Sequence, residues 1–322
     1  MSDDFDRWAL LSDRGSDDLT EADRLRGGYY RTRTIRSGDM LEIEAYPMLP
    51  RHQLAELRRQ KPSTDAQKRL NRRNAEKRFR RLAEINFRDH EDYFFTGTVE
   101  SPPGASLPTL DQVDRILGNY VRRVNRLRKK RGLRNAKYLA VIEGWEEGAR
   151  MKRLHVHMLL EGGLDRDTVE KLWNAGVRVK CERLIKSMLD QLCQYLLKDP
   201  RGRKRWKYSK GNLRQPVVRI AERKISSAAA WRIASDVGGR AAALERLYPG
   251  YRIDAPEGMD AVEVRTNPYV PGVFISARMR RAGPLRKKAS RRKRKRADFQ
   301  NSPGGGLREK GVTHDGVRDQ HP

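Results

Sequence analysis

Apolar and polar positions in the middle of the chain predict alternating strands and helices. Tyr93–Val99 is aromatic and β-branched, which is typical of a strand. From Leu110 to Leu127 the apolar residues recur with a helical period, and Thr109 and Gln112 form a capping-box pattern at the start. We therefore expect an amphipathic helix that covers a sheet.

Two further strands, a helix, a short strand and a long helix are predicted next. In chain order they are residues 137–143, 153–160, about 166–174, 177–180 and about 183–198. The link between the first two strands is short enough for a hairpin. Strand, helix, strand, strand, helix, strand is the order of the split βαβ fold. The sequence therefore predicts an α+β, ferredoxin-like (RRM-like) antiparallel sheet with helices on one face.

Outside this core the pattern is weaker, and the fold prediction adds a helical N-terminal extension and a disordered basic C-terminal tail. A short strand is predicted within residues 39–46, and residues 224–247 have a helical pattern. The predicted regions are an N-terminal extension (1–60), a basic helix (61–91), a core domain (92–220), an accessory region (221–278) and the tail (279–322).

The charge of the chain narrows the classes of partner. The 322 residues carry a formal net charge of +28, and eleven Lys and Arg with no acid lie between Arg280 and Arg296. Such a charge favours a polyanionic binding partner, and a nucleic acid is favoured over a membrane surface. The sequence has neither a run of about 18 apolar residues nor a signal-peptide pattern. We therefore expect a soluble intracellular protein. Cys181 and Cys193 are expected to be reduced, the latter in a core.

A histidine pair is the first candidate for chemistry. His155 and His157 are two apart in a predicted strand, so both side chains leave the same face and could coordinate one metal ion. Glu143 ends the preceding strand and can approach them in a hairpin. Two imidazoles and one carboxylate suit Mg²⁺, Mn²⁺ or another divalent ion. The alternative is a pair of half-exposed histidines and a strand-end carboxylate with no ligand.

A tyrosine and a lysine are the second candidate. Tyr195 and Lys198 are three apart in a predicted helix and share a face. A phenol has an ordinary pKa of about 10 and needs activation as a nucleophile. A nearby ammonium favours the phenolate or neutralises charge on a transition state. The alternative is a tyrosine at the core boundary with a lysine that extends to solvent.

A stretch that mixes cations with aromatic residues follows this helix. Aromatic faces stack with bases while cations hold phosphates, as expected along a path for single-stranded nucleic acid. The alternative is a basic loop whose tryptophan belongs to the core. The candidate nucleic-acid residues are Arg203, Lys204, Arg205, Trp206, Lys207 and Ser209.

As a set, these residues resemble the HUH endonucleases, and within them the rolling-circle replication initiators of small single-stranded DNA phages and related plasmids or prophages. The resemblance covers about residues 65–220. The matching segments, in the order of the family, are Phe95–Thr98, Tyr138–Glu143, Arg153–Leu160, Gln194–Lys198 and Trp206–Leu213 followed by Pro216.

The resemblance implies a single-tyrosine enzyme that cuts and joins single-stranded DNA at a replication origin. It implies that His155, His157 and Glu143 bind a divalent cation, Mg²⁺ or Mn²⁺. It further implies that Tyr195 attacks DNA to give a 5′-phosphotyrosyl intermediate, with Lys198 positioning the phosphate or activating the tyrosine. Host polymerase and helicase would be partners, in the cytoplasm of a bacterium and near its nucleoid, with no membrane involved.

Two departures and two rival functions remain open. Gly97 replaces a large apolar residue in the first motif, and the insert before His155 makes Glu146 or Glu147 an alternative acid. A transposase or relaxase of the same superfamily would use the same chemistry. A non-catalytic basic nucleic-acid-binding protein would fit the charge equally well.

Overall fold

The structure is a computed structural model of the chain. It describes residues 19–25, 28–48, 64–100, 106, 108–143, 154–196, 206–255, 261–267 and 270–283, and at residues 64, 194–196 and 270 the description covers the backbone alone. The predicted basic tail lies almost entirely outside these residues.

Eleven strands and six α-helices make up the described part of the chain. The strands are β1 (Tyr29–Ser37), β2 (Met40–Met48), β3 (Tyr93–Thr98), β4 (Tyr138–Glu143), β5 (His155–Leu160), β6 (Val179–Arg183), β7 (Lys207–Tyr208), β8 (Val217–Glu222), β9 (Tyr251–Ile253), β10 (Val262–Asn267) and β11 (Val270–Arg281). The helices are α1 (Thr64–Asn86), α2 (Leu110–Lys130), α3 (Arg166–Lys171), α4 (Leu189–Leu196), α5 (Ser227–Ser235) and α6 (Arg240–Leu247).

The first sheet confirms the predicted fold class. Its strand order is β6-β3-β5-β4-β7, and neighbouring strands are antiparallel. The four strands β3, β4, β5 and β6 with the crossover helices α2 and α3 therefore have the split βαβ arrangement, and β7 adds a short fifth strand. The predicted capping box is present, since Thr109 Oγ1 accepts a hydrogen bond from the backbone N–H of Gln112.

Helices cover both faces of this sheet. On one face, α2 and α3 bury Tyr120 and Val169 with Phe95 and Val156. On the opposite face, α1 and α4 pack against side chains of β4 and β5; the buried residues there are Phe79, Leu82, Ala83, Phe87, Leu139, Val141, Leu159, Leu184, Leu189 and Cys193. The helices of the split βαβ unit lie on one face as predicted, and α1 and α4 form an additional layer.

The helix predicted over residues 183–198 was wrong at its start, because the chain is still in the sheet there. Arg183 pairs with Tyr93 at the end of β6, and a 3-10 turn over Lys186–Met188 precedes α4. The apolar residues Ile185 and Met188, which lie within the predicted helix, are 42% and 53% exposed. Pairing within the sheet therefore decides the conformation at the start of this segment, although its apolar residues recur with a helical period.

A second sheet joins distant parts of the sequence. Its order is β10-β11-β2-β1-β8, with β9 paired to β11. The short strand predicted in residues 39–46 is β2, and it forms a hairpin with β1. The predicted domain boundary at residue 220 falls inside β8, which pairs with β1; the domain limits stay predictions. The helices α5 and α6 lie in the segment predicted as helical and pack on this sheet.

α1 lies between the two sheets. Its apolar side, with Phe79 and Leu82, packs on the first sheet. Its polar side makes ion pairs with β2 of the second sheet, where Lys77 approaches the carboxylate of Glu44 and Arg81 bonds that of Glu42. Since both carboxylates are buried, the cations of α1 satisfy charges that would otherwise be costly to bury.

Candidate functional site

The histidine pair lies on β5, near the centre of the first sheet. β5 is bordered by β3 and β4, and His155 pairs with Glu143 on β4 while His157 pairs with Thr96 on β3. The rings of His155 and His157 are 6.1 Å apart between centroids and inclined by 21°. The strand alternation therefore places both imidazoles on one face, as predicted.

His157 is held on three sides. Its Nε2 lies 2.9 Å from Oε2 of Glu143, and its Nδ1 lies 3.1 Å from the hydroxyl of Thr96. The ring of Phe94 stacks on the imidazole with centroids 5.9 Å apart. The His157 side chain is 11% exposed and that of Glu143 27%. One ring nitrogen is thus fixed from β3 while the other points to the carboxylate on β4.

The three predicted ligands suit a divalent ion in type, but here Glu143 is hydrogen-bonded to Nε2 of His157, the nitrogen that would bind the ion. Imidazole nitrogen and carboxylate oxygen are ordinary ligands for such ions, and Thr96 fixes the ring that would bind through Nε2. Among the residues that the structure describes, however, no group of three or more His, Cys, Asp or Glu could hold a metal. The carboxylate of Glu143 is hydrogen-bonded to His157. The ring of His155, two residues away on the same strand, lies 6.1 Å from the ring of His157 between centroids.

Gly97, the departure in the first motif, has a packing reason. A Cβ at this position would lie 2.7 Å from Cε2 of Trp173 and 2.9 Å from Cε1 of Phe95. Trp173 occupies this space because its Nε1 donates a hydrogen bond to the carbonyl of Thr98. The indole of Trp173 therefore fills the space beside Gly97, and it reaches this strand from beyond α3.

α4, the helix that contains Tyr195, packs on the same sheet face as the histidines. Leu189 and Cys193 of this helix share a buried cluster with Val141 and Leu159, which point to the same side as Glu143 and His157 by strand alternation. The side chain of Tyr195 lies outside the described part of the molecule, and so does the whole of Lys198. Tertiary packing therefore brings the tyrosine-bearing helix and the imidazoles to one side of the sheet.

The predicted nucleic-acid residues are divided. Trp206 is partly buried, with its ring edge-on to Phe79 at 5.8 Å, and the guanidinium of Arg78 lies 5.8 Å from the indole centroid. Lys207, on β7, forms an ion pair with Asp114. Arg203, Lys204 and Arg205 lie outside the described residues, as do the alternative acids Glu146 and Glu147.

Ser209 is buried and its hydroxyl is used inside the protein. The hydroxyl donates to Oδ1 of Asn212 and accepts from the backbone N–H of Tyr138. It therefore joins the segment after β7 to the start of β4.

Sequence reasoning missed the roles of Thr96 and Phe94. Both residues belong to the predicted strand β3, but their contact with His157 depends on the register between β3 and β5. The alternation of β3 was a usable signal, because Phe94 and Thr96 are two apart and must share a face.

Comparisons with known proteins identified no relative of this chain. A scan against protein-family models, a search of the curated proteins and a search of the solved structures each found no match to this chain. Within the described ranges, no helix is both long and apolar enough to cross a membrane.

Proposed function

We propose that this protein nicks and joins single-stranded DNA at a specific site, with Tyr195 as the nucleophile, and so initiates rolling-circle replication. One observation carries the proposal most directly: α4, which contains Tyr195, packs on the sheet face that presents His157 and Glu143. The resemblance to HUH endonucleases supplies the order of the motifs, and the common face gives them a shared place to act.

The reaction exchanges one phosphodiester for another. The phenol oxygen of Tyr195 forms a bond to the scissile phosphorus, and the bond from phosphorus to the 3′ oxygen breaks. The phenol proton is lost to solvent or a base, and the leaving oxygen takes up a proton as a free 3′-hydroxyl. In the joining step, a 3′-hydroxyl attacks the phosphotyrosine and releases the tyrosine. Since bond type is conserved, the step requires no external energy source.

Each predicted site residue has a task in this reaction. His155, His157 and Glu143 would hold a divalent ion, Mg²⁺ or Mn²⁺, which supplies Lewis-acid polarisation of the phosphate. Thr96 holds the imidazole of His157 through Nδ1, so that Nε2 stays directed to the site. Lys198 would place a positive charge beside the phosphate or favour the phenolate of Tyr195.

The charge of the chain supports a DNA substrate. A net charge of +28 attracts any phosphate backbone and makes binding strongly dependent on salt. Trp206 packs partly buried against Phe79, as in the alternative interpretation, and Arg78 beside its ring offers a cation for phosphate contact. Single-stranded DNA at an origin is the proposed substrate, and host polymerase and helicase are the proposed partners.

Covalent trapping tests the proposal. The full-length protein is incubated with labelled single-stranded DNA and Mn²⁺, and the denaturant-resistant adduct is measured on gels, with the modified residue mapped by mass spectrometry. We expect an adduct at Tyr195 with the wild type, none with Tyr195→Phe, and unchanged DNA binding by that variant. Tyr208→Phe, which alters an exposed tyrosine of β7, should form the adduct normally.

Other outcomes have clear meanings. An adduct that persists in Tyr195→Phe shows that the nucleophile is assigned wrongly. Tight, salt-sensitive binding with no adduct under any metal supports a non-catalytic nucleic-acid-binding protein. Cleavage confined to hairpin ends or to a transfer origin supports a transposase or relaxase instead of a replication initiator.

A further inference from the structure

The start of α4 is tied by charge to the second sheet. Asp190, in the first turn of α4, accepts a hydrogen bond from Nη1 of Arg278 at 2.7 Å. Arg278 belongs to β11. The same carboxylate oxygen of Asp190 lies 2.6 Å from Nε of Arg80 on α1. One acid at the base of the helix is thus held from two elements that lie outside the split βαβ unit.

A second attachment lies one helical turn earlier. Lys186 donates from Nζ to the backbone carbonyl of Glu84 at 2.8 Å and approaches its carboxylate at 3.4 Å. Glu84 in turn bonds Arg280 of β11 at 3.0 Å.

Asp254 links the two attachments, since its Oδ2 lies 3.2 Å from Nε of Arg278 and 3.1 Å from Nη2 of Arg280. We call these seven side chains the charged clasp: Arg80, Glu84, Lys186, Asp190, Asp254, Arg278 and Arg280.

Most of the clasp is shielded from water, and its most exposed side chain is Arg280, at 39%. The side chains of Arg278 and Glu84 are 11% and 3% exposed, and that of Asp190 is 20% exposed. Burial by itself raises the pKa of Asp190, but the hydrogen bond from Arg278 and the charge of Arg80 outweigh it and hold the pKa below its ordinary value. Ion pairs in such surroundings are screened less than surface pairs, and the loss of one partner leaves a poorly solvated charge.

α4 depends on contacts of this kind for its orientation. It spans only Leu189–Leu196, and a helix of that length is marginal without tertiary support. In the described part of the helix, Leu189 and Cys193 are the fully buried anchors and Leu192 packs beside them partly buried, so the helix is held on the sheet by non-directional apolar contacts. Asp190 lies between these anchors and adds a directional restraint.

We infer that Asp190 and Arg278 are positioning residues, through which the second sheet sets the orientation of α4 and thereby of Tyr195. The inference rests on the proposed function and deepens it, because it makes nicking by the first sheet dependent on β11. Small displacements of a reacting group cost large factors in rate, so a loosened helix should nick slowly even on bound DNA.

Two buried thiols test the clasp without any DNA. Cys193 lies in α4 and Cys181 in β6, and burial raises the pKa of each to about 12, so alkylation requires local opening. In native full-length protein, Asp190→Asn and Arg278→Gln should each speed alkylation of Cys193 by about tenfold or more while Cys181 keeps its wild-type rate. Mass spectrometry of the two peptides gives both rates.

Glu44→Gln is the matched control. It removes a buried carboxylate of β2 that pairs with Arg33 on β1 and with Lys77 and Arg81 on α1, none of which belongs to the clasp. This variant should leave the ratio of the two alkylation rates unchanged. An unchanged Cys193 rate in Asp190→Asn, or equal acceleration of both thiols, overturns the inference, since the clasp would then be absent or would serve only global stability.

The nicking assay adds the functional readout. Under single-turnover conditions with saturating DNA, Asp190→Asn and Arg278→Gln should each lower the rate by about tenfold or more, and the double variant should lose no more than either single one. The DNA concentration for half-saturation should stay at the wild-type value. Additive losses, or a loss in DNA affinity alone, contradict the inference.

Failure of the proposed function and failure of the positioning role give different results. If wild-type protein forms no adduct, the proposed function fails while the thiol rates still decide whether β11 holds α4. If wild-type protein nicks and Asp190→Asn nicks equally fast, the proposed function stands and the positioning role is wrong.

Discussion

The hydroxyl of Thr96 lies 3.1 Å from Nδ1 of His157, across the ladder between β3 and β5. This contact fixes the orientation of an imidazole whose other nitrogen lies 2.9 Å from the carboxylate of Glu143. A metal-binding histidine is commonly held through its second nitrogen in this way. Thr96 therefore connects the first predicted motif to the histidine motif.

Removal of the Thr96 hydroxyl should weaken the site without altering the fold. Thr96→Val keeps the shape of the side chain but leaves Nδ1 of His157 without this partner. We expect the Mn²⁺-dependent nicking efficiency to fall by roughly 10- to 100-fold. The measurement is the nicking rate as a function of Mn²⁺ concentration. Thr96→Ser, which keeps the hydroxyl, should stay near the wild type; equal losses in both variants would show that the hydroxyl is not responsible.

The missing side chain at Gly97 should matter for stability. Gly97→Ala places a Cβ within 3.0 Å of the Trp173 and Phe95 rings, so the variant should lose about 1–3 kcal/mol of unfolding free energy from overpacking. Urea denaturation followed by far-UV circular dichroism measures it.

Gly118 provides the opposite control on α2. A Cβ there meets nothing within 4 Å, so Gly118→Ala should stabilise the protein by about 0.5–1 kcal/mol through helix propensity. Equal effects at Gly97 and Gly118 would contradict the packing account of the motif.

Asn86 should be important at the end of α1. Its amide donates to the carbonyls of Leu82 and Arg214, and its Oδ1 accepts from the backbone N–H of Arg214. Because Asn86 is buried, Asn86→Ala leaves several polar groups unsatisfied and should cost about 1–3 kcal/mol. Asn71→Ala, on the exposed side of the same helix, should change stability by no more than about 0.5 kcal/mol.

Asp165 should make the stability of α3 depend on acid pH. It caps α3 by accepting from the N–H and hydroxyl of Thr168, and these bonds lower its pKa from 3.8 to about 2. The contribution is therefore full above the unfolded pKa of 3.8 and is lost as the pH falls through about 2.

The comparison with Asp165→Ala measures this contribution. The melting temperature of Asp165→Ala should lie below that of the wild type at pH 6, and the gap should close near pH 2. Asp167→Ala is the control, because Asp167 is an exposed acid of the first turn and Asp165 is the residue that caps the helix. A gap for Asp165→Ala that is the same at both pH values would rule out the cap as its cause.

Local signals explain why the core elements could be predicted. The capping box at Thr109 and Gln112 and the apolar period of α2 depend on residues that are neighbours in sequence. Strand alternation likewise places His155 and His157 on one face whatever the surroundings. By contrast, α4 begins at Leu189 and not near residue 183, because β6 continues to Arg183 in its pairing with β3.

The sequence by itself determined the class of the fold, the shared face of the two histidines and the cationic character of the chain. Only the tertiary structure decided that Thr96 holds His157, that Trp173 requires glycine at position 97, and that Asp190 meets Arg278 from 88 residues away. The physical reason is range: periodicity and capping act within a few residues, whereas strand register, close packing and buried ion pairs exist only after distant segments have come together.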